Sequence, residues 1–292
     1  MLQHANTTDV CADTVLTGLI GRGIGQSRSP AMHEAEGAAN GLRYAYRLFD
    51  MDKPDMANLS LADVLDRTEA EGFAGLNITF PFKIEIIDHL QSLSDNARKV
   101  GAVNTVVFRD GKRYGHNTDL WGYAEGFRTG MADVALDRVL LLGAGGAGVA
   151  VANALFDLGV KSLWINDTND TRRTDLVSAL ADRYGADRVS GTDGADLSSL
   201  NVDGLVNATP VGMAKLPGSP FPKDLLRPDM WVSDIVYFPL ETQLLADARA
   251  AGCRVLPGSG MAVYQAVRAF ELFTGIAPDA ARMKRVFESL GI

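Results

Sequence analysis

The chain has 292 residues, 47% of them hydrophobic and 22% charged, with a formal net charge of −8. That length can bury a large core and favours two domains over one. The acidic balance argues against a nucleic-acid or anionic-membrane surface, both of which need clustered cations, but leaves room for a small anionic substrate.

In chain order, the start "MLQHANTTDVCADT" has no basic lead and no apolar block, so no targeting signal is expected. "TVLTGLIG" reads as a strand, and "SPAMHEAEGAANG" as a helix with Ser29 as its cap and Pro30 in its first turn. "YAYRLFD" is a second strand, "SLADVLDRTEAEG" a helix, and "FAGLNITF" (73–80) a third strand. In that third strand Leu76, Ile78 and Phe80 alternate with Asn77 and Thr79, before Pro81 and a lone cation, Lys83. The segment "DNARKVGAVNTVVFRDGKRYGHNTD" gives a helix end and then a hairpin turning at "RDGK". A helix from about 120 to 131 leads out of this region.

A second block opens on the strand "RVLLLG" and the helix "AGVAVANALFDLG". It continues through the strand "SLWIND" to "GLVNATP", "WVSDIVY" and "RVLP". Strands separated by helices imply a parallel, right-handed doubly wound sheet. Two C-terminal helices, "MAVYQAVRAFELFTG" and "DAARMKRVFESLG", follow. The most apolar run, 139–156, is broken by glycines and Asn153, so it reads as a buried strand and helix and not as a membrane span. Cys11 and Cys253 are far apart, and His4, His33, His89 and His116 are scattered, so neither a metal site nor a disulfide is expected. A reduced cytoplasm is the expected setting.

"LLLGAGGAGVAVANAL" carries Gly143, Gly145 and Gly148 in G-x-G-x-x-G spacing. The motif follows an apolar strand and opens a helix, the context in which such a turn receives a pyrophosphate. Gly143 permits the tight turn, Gly145 the approach of phosphate, and Gly148 close packing of helix on strand. Ala144, Gly146 and Ala147 complete the loop, and Asp167 closes the next strand where ribose hydroxyls belong. A flavin would use the same turn, but no further flavin signal is present.

The motifs "GLIGRGIGQSRSPAMHEAEG", "GLNITFPFK", "GAVNTVV", "GHNTD", "GAGGAGVAVANAL", "VNATPVGM", "DIVYFPLET" and "GSGMAVYQAVRAFELFTG" occur in that order from about residue 16 to 290. Together they resemble the shikimate dehydrogenase family, and more closely its NAD-using quinate/shikimate branch. The resemblance implies an N-terminal α/β substrate domain (1–122, completed by helices in 261–292) and a Rossmann NAD-binding domain (123–260). It implies a substrate that is a polyhydroxylated ring carboxylate. Carried over position by position, it places Ser27 and Ser29 on the substrate carboxylate. Asn77, Thr79, Asn104 and Gln265 fall on the ring hydroxyls together with Lys83 and Asp119, and Tyr237 closes the site. Thr209, Ile235, Val236, Gly258 and Met261 fall beside the dinucleotide.

These residue types suit the task. Hydroxyls one residue apart at a helix start supply donors to a carboxylate without a buried cation. Amides and hydroxyls both donate and accept, as a polyol requires. Oxidising a secondary alcohol requires the hydroxyl proton to leave, and Lys83 paired with Asp119 is the expected acid/base. His116 is an alternative base, but the family pattern places the aspartate at the substrate. Alternatives to the leading reading are an NADP-preferring biosynthetic shikimate dehydrogenase or a paralogue acting on an amino-shikimate-like analogue. A catalytically silent dinucleotide-binding sensor is the reading from another class. NADP-specific members carry an arginine directly after the asparagine where this chain has Asp167, so NAD is the expected cofactor, with NADP possible. Arg172 then stacks on adenine or holds the loop. Quinate-using relatives carry threonine where this chain has Ser29, so shikimate is expected to be accepted. A monomer or homodimer is expected, with no nucleic-acid or membrane partner.

Overall fold

The alternating apolar run Val15–Gly21 forms strand β1, and Tyr44–Asp50 (β2) and Gly75–Ile78 (β3) pair with it, both parallel. The computed structural model describes residues 14–56, 58–193 and 197–291, so His4 and Cys11 lie outside the described residues. Short β4 (Ser92–Leu93) and the hairpin of β5 (Thr105–Arg109) and β6 (Lys112–His116) complete a mixed sheet of order β2-β1-β3-β5-β6-β4. Helices α1 (Ser29–Ala39), α2 (Leu61–Ala70), α3 (Asp95–Val100) and α4 (Thr118–Gly130) belong to this half of the chain. Its core includes Ile20, Leu76, Ile78 and Leu65, all essentially inaccessible to water.

Two details depart from the sequence reading. The third strand, Gly75–Ile78, is shorter than 73–80 at both ends, although the Thr79 amide still donates to Ile20 at 2.9 Å and the Phe80 carbonyl accepts from Arg22 at 3.1 Å just before Pro81, which has no amide to donate. Ser29 is the first helical residue of α1, not its cap. Arg28 already has helical dihedrals (φ −86, ψ −6), so the chain coils one residue earlier. The Ser29 amide donates instead to the Ser27 hydroxyl at 3.3 Å.

The second half follows β7 (Arg138–Leu142), α5 (Gly146–Asp157), β8 (Ser162–Asn166), α6 (Asp170–Tyr184) and β9 (Val189–Thr192). Then come β10 (Gly204–Asn207), β11 (Trp231–Asp234), α7 (Gln243–Ala250) and β12 (Arg254–Leu256). Every pair is parallel and the order is β12-β11-β10-β7-β8-β9, the doubly wound arrangement in which ligands bind beyond the strand C-termini where the order reverses. That switch point lies between β7 and β10, where the Gly143 turn sits.

The last helices, α8 (Ser259–Thr274) and α9 (Ala280–Ser289), return to the first half. Val263, Ala266, Met283 and Phe287 bury against Met32 of α1. Glu36, 1% exposed, receives Arg282 through both carboxylate oxygens at 3.1 Å and the Asp279 amide at 2.9 Å. Removing Arg282 would strand the buried Glu36 carboxylate, whereas Arg282, a third exposed, would keep water if Glu36 were removed. Glycines bring α8 against α4: a Cβ at Gly122 would lie 2.6 Å from the Gln265 nitrogen. Among the described residues no helix is long and apolar enough to cross a membrane.

Candidate active site

The C-terminal end of β3 carries the first group of side chains. Asn77 faces Thr105 across the ladder, and its amide nitrogen donates to the Asn104 carbonyl at 3.3 Å and to the Thr105 hydroxyl at 3.0 Å. The Tyr46 phenol of β2 donates to its amide oxygen at 2.8 Å. A backbone carbonyl can only accept, so this network fixes which end of the amide is which. Asn77 therefore has one oxygen lone pair left to offer, and presents an acceptor.

Asn104, just ahead of β5, is bound more completely. Its amide oxygen accepts the Thr118 amide at 2.7 Å and its amide nitrogen donates to the Thr118 hydroxyl at 3.0 Å. This ties the strand end to the first turn of α4, where Asn117 caps the helix through the Leu120 amide at 3.1 Å. Asp119 follows in the same turn, a position that favours a negative charge.

From the turn after β3, Lys83 reaches that turn. Its ammonium lies 2.6 Å from Asp119 Oδ2, with 27% and 11% of the two side chains exposed. The Lys83 carbonyl accepts the Val103 amide at 2.8 Å, which holds the turn against the start of β5. The fold thus joins residues 36 positions apart into one partly open ion pair. His116 occupies different surroundings: with Ser94, Trp121 and Arg268 it lines a cavity of about 220 Å³ that neither Lys83 nor Asp119 borders. Burial pushes its imidazole pKa down, and Arg268 and Arg109 push in the same direction.

The remaining substrate candidates differ in how they are held. Ser27, Ser29 and Thr79 are half-buried, and Thr79 packs against the backbone at Gly21. Gln265 lies on α8 opposite Gly122, but its side chain donates to Ala262 of its own helix at 3.1 Å. Tyr237 follows β11 and is 45% exposed. Burial raises its phenol pKa, while the charges of Lys83, Asp119 and Arg28 all act on it, so it stands near the ion pair.

The glycine turn after β7 has the features of a phosphate cradle. Gly143 has φ +99, and a Cβ there would lie 2.8 Å from the Ala208 oxygen. A Cβ at Gly148 would lie 2.0 Å from the Gly143 oxygen, so helix and strand meet without room for a side chain. At Gly145 and Gly146 a Cβ would meet nothing within 4 Å, so the start of α5 opens onto free space. The chain's donors and its open backbone therefore fit a dinucleotide pyrophosphate. Asp167 braces the turn: it accepts the Ala144 amide at 2.6 Å and the Asn169 amide at 2.7 Å. Each oxygen keeps a lone pair for a ribose hydroxyl. Ile235, Val236 and Gly258 come together, since a Cβ at Gly258 would lie 2.3 Å from the Ile235 oxygen. Met261 packs beside Gly126, and both the amide and the hydroxyl of Thr209 donate to Asn207.

Sequence reasoning missed Tyr46, Asn207 and Asp234. Asp234, 1% exposed, accepts from Asn207 at 2.9 Å, from the Val236 amide at 2.9 Å and from the Thr242 hydroxyl at 2.7 Å. It thereby fixes the loop that carries Ile235 and Tyr237. The available signal was an acid that ends a buried strand and opens the motif "DIVYFPLET". Among the described residues no group of His, Cys, Asp and Glu could hold a metal ion.

Comparison with known proteins agrees with this geometry. The family model for the shikimate dehydrogenase substrate binding domain matches residues 19–106, and that for the shikimate 5'-dehydrogenase C-terminal domain matches 258–286. A shikimate dehydrogenase (NADP(+)) of Streptomyces avermitilis is 50% identical over 93% of this chain and 94% of its own length. A quinate/shikimate dehydrogenase (NAD(+)) of Corynebacterium efficiens is 47% identical, covering 95% and 99%. The solved quinate dehydrogenase from Corynebacterium glutamicum in complex with NAD superposes with a TM-score of 0.91 at 44% identity, covering 95% and 99%. At such identity, over nearly the full length of these relatives, the chain belongs to the shikimate dehydrogenase family.

Proposed function

We propose that this protein is an NAD-dependent dehydrogenase that interconverts a ring hydroxyl of shikimate, or of quinate, with the corresponding ketone. The observation that carries the reading is the Lys83–Asp119 pair at 2.6 Å, partly open and flanked by polyol-binding side chains. NAD, held at the Gly143–Gly148 turn with Asp167 on its adenosine ribose, supplies the hydride acceptor. When the alcohol is oxidised, a Lys83 amine accepts the hydroxyl proton as the C–H hydride departs. In the reverse direction the Lys83 ammonium donates that proton to the ketone oxygen. Asp119 holds the amine in place and accepts from a substrate hydroxyl. Ser27 and Ser29 bind the carboxylate with neutral donors, and Asn77, Thr79, Asn104 and Gln265 bind the hydroxyls. Tyr237 covers the carboxylate end.

In this reading residues 1–122 with 261–292 form the substrate-binding and catalytic unit, and 123–260 the NAD-binding unit. The enzyme works in the cytoplasm as a monomer or homodimer, with no nucleic-acid or membrane partner. A second reading, substantial use of NADP, is favoured by one observation. Arg173 is tied to Asp170 at 2.9 Å, whereas Arg172 is exposed at the start of α6. The test is a kinetic matrix of shikimate and quinate against NAD and NADP, followed at the reduced-nicotinamide absorbance. Turnover with NAD and at least one acid supports the proposal; none with any pair overturns it.

A further inference from the structure

We propose that Phe287, on the last turn of α9, is a positioning residue for Tyr237, and that Arg28 locks Phe287 in place. This rests on the function just proposed, in which Tyr237 covers the carboxylate end. Asp234 anchors the backbone of the loop that carries Tyr237, but the Tyr237 side chain is 45% exposed, so its ring needs a neighbour to set its position. Its ring meets Phe287 edge-on, with centroids 6.1 Å apart. Phe287 is 1% exposed and belongs to the helix that the Glu36–Arg282 pair clamps to α1. It is a buried wall against which the exposed Tyr237 ring rests.

Arg28 completes the wall from the other half of the protein. It lies between Ser27 and Ser29, yet its guanidinium turns toward α9. There it sits 4.6 Å from the centroid of the Phe287 ring and donates to the carbonyls of Phe287 and Gly291. Those carbonyls form the negative end of the α9 dipole, where a cation is favoured. One phenylalanine therefore connects the serine loop of the first half to the tyrosine loop of the second. The Arg28 guanidinium thus serves this wall directly, with two of its donors on α9 and its charge over the Phe287 ring.

Phe287→Leu keeps most of the buried volume but removes the ring face and edge. The KM for shikimate or quinate should rise about 5- to 20-fold, the worth of an aromatic pair with a cation–π contact. The KM for NAD and kcat should each stay within about 3-fold, since neither cofactor nor proton transfer touches the ring. Phe287→Met fills the same pocket without a ring and should show the same rise, which separates loss of the ring from loss of volume. In a Tyr237→Ala background the Phe287→Leu effect should fall to about 2-fold or less, because the two act as one unit. Arg28→Met leaves the core intact and should raise the same KM about 2- to 5-fold. Hydrogen exchange, which needs no substrate, should quicken at 235–241 in Phe287→Leu while 280–286 stay protected. Unchanged exchange at 235–241, or an undiminished effect in the Tyr237→Ala background, overturns the proposal. Wild-type inactivity toward both acids would instead sink the functional reading, and the exchange result would still report whether Phe287 holds the loop.

Discussion

Asp234 makes the protein's stability depend on pH in a direction opposite to that of an ordinary paired carboxylate. Burial pushes its carboxyl up from 3.8 to about 6, against the opposing pull of hydrogen bonds from Thr242, the Val236 amide and Asn207. A folded pKa above the unfolded value means that its contribution to stability is complete below about pH 4. That contribution is lost as pH rises through about 6. The gap of roughly two units corresponds to about 3 kcal/mol. Asp234→Asn removes the titration but keeps the shape. Its carbonyl still accepts from Val236 and Asn207, and its NH2 donates to the Thr242 oxygen once that hydroxyl rotates. The unfolding free energy of wild type minus that of the variant should therefore rise by about 3 kcal/mol between about pH 7.5 and pH 4. Urea unfolding followed by circular dichroism across that range measures it at constant ionic strength. A difference flat in pH, or one growing toward alkaline pH, refutes the reasoning. Asp234→Ala is the contrasting change: stranding three donors at about 1–3 kcal/mol each should cost some 3–9 kcal/mol and loosen the Tyr237 loop.

Lys83→Ala should lower turnover by about two orders of magnitude or more while substrate affinity suffers less, as single-turnover and binding measurements would show. Near-wild-type turnover in that variant removes Lys83 from the mechanism. Wild type should favour NAD over NADP several-fold to about a hundred-fold in kcat/KM, because in the proposed binding mode Asp167 would repel a 2′-phosphate, and Asp167→Ala should narrow that gap. An NADP preference in the wild type would contradict this. Ser29→Thr should shift the quinate-to-shikimate ratio of kcat/KM, and an unchanged ratio would mean that this hydroxyl does not set the choice. His33 is wholly buried, and burial pushes its pKa down from 6.5 to about 3. Its share of stability is present above about pH 6.5 and drains away toward pH 3, up to about 4–5 kcal/mol, so His33→Asn should flatten that acid slope.

The parts legible in the sequence share a physical property: each is encoded by neighbours along the chain. The turn from Gly143 to Gly148 is local, because its φ of +99 and its close helix–strand approach both demand glycine within a few residues. The alternation of Leu76, Asn77 and Ile78 marks a strand for the same reason, and the order of motifs extends that reading to the whole fold. The Lys83–Asp119 pair is not local, and it was reached through the family pattern, not through spacing. The contacts that hold the site lie further from view. Asp234 acts through a threonine eight residues away and an asparagine 27 residues away. Arg28 meets a carbonyl 259 residues later. Only the return of α9 to α1 brings these groups together, and nothing in the local pattern of "SRSP" records that return. Ser29 shows the same limit at short range: its residue type suits a cap, but the dihedrals of Arg28 move the helix start, and its hydroxyl bonds to the Tyr46 phenol instead. The same phenol donates to Asn77, so the start of α1 and the end of β3 are linked through a tyrosine that neither local pattern records.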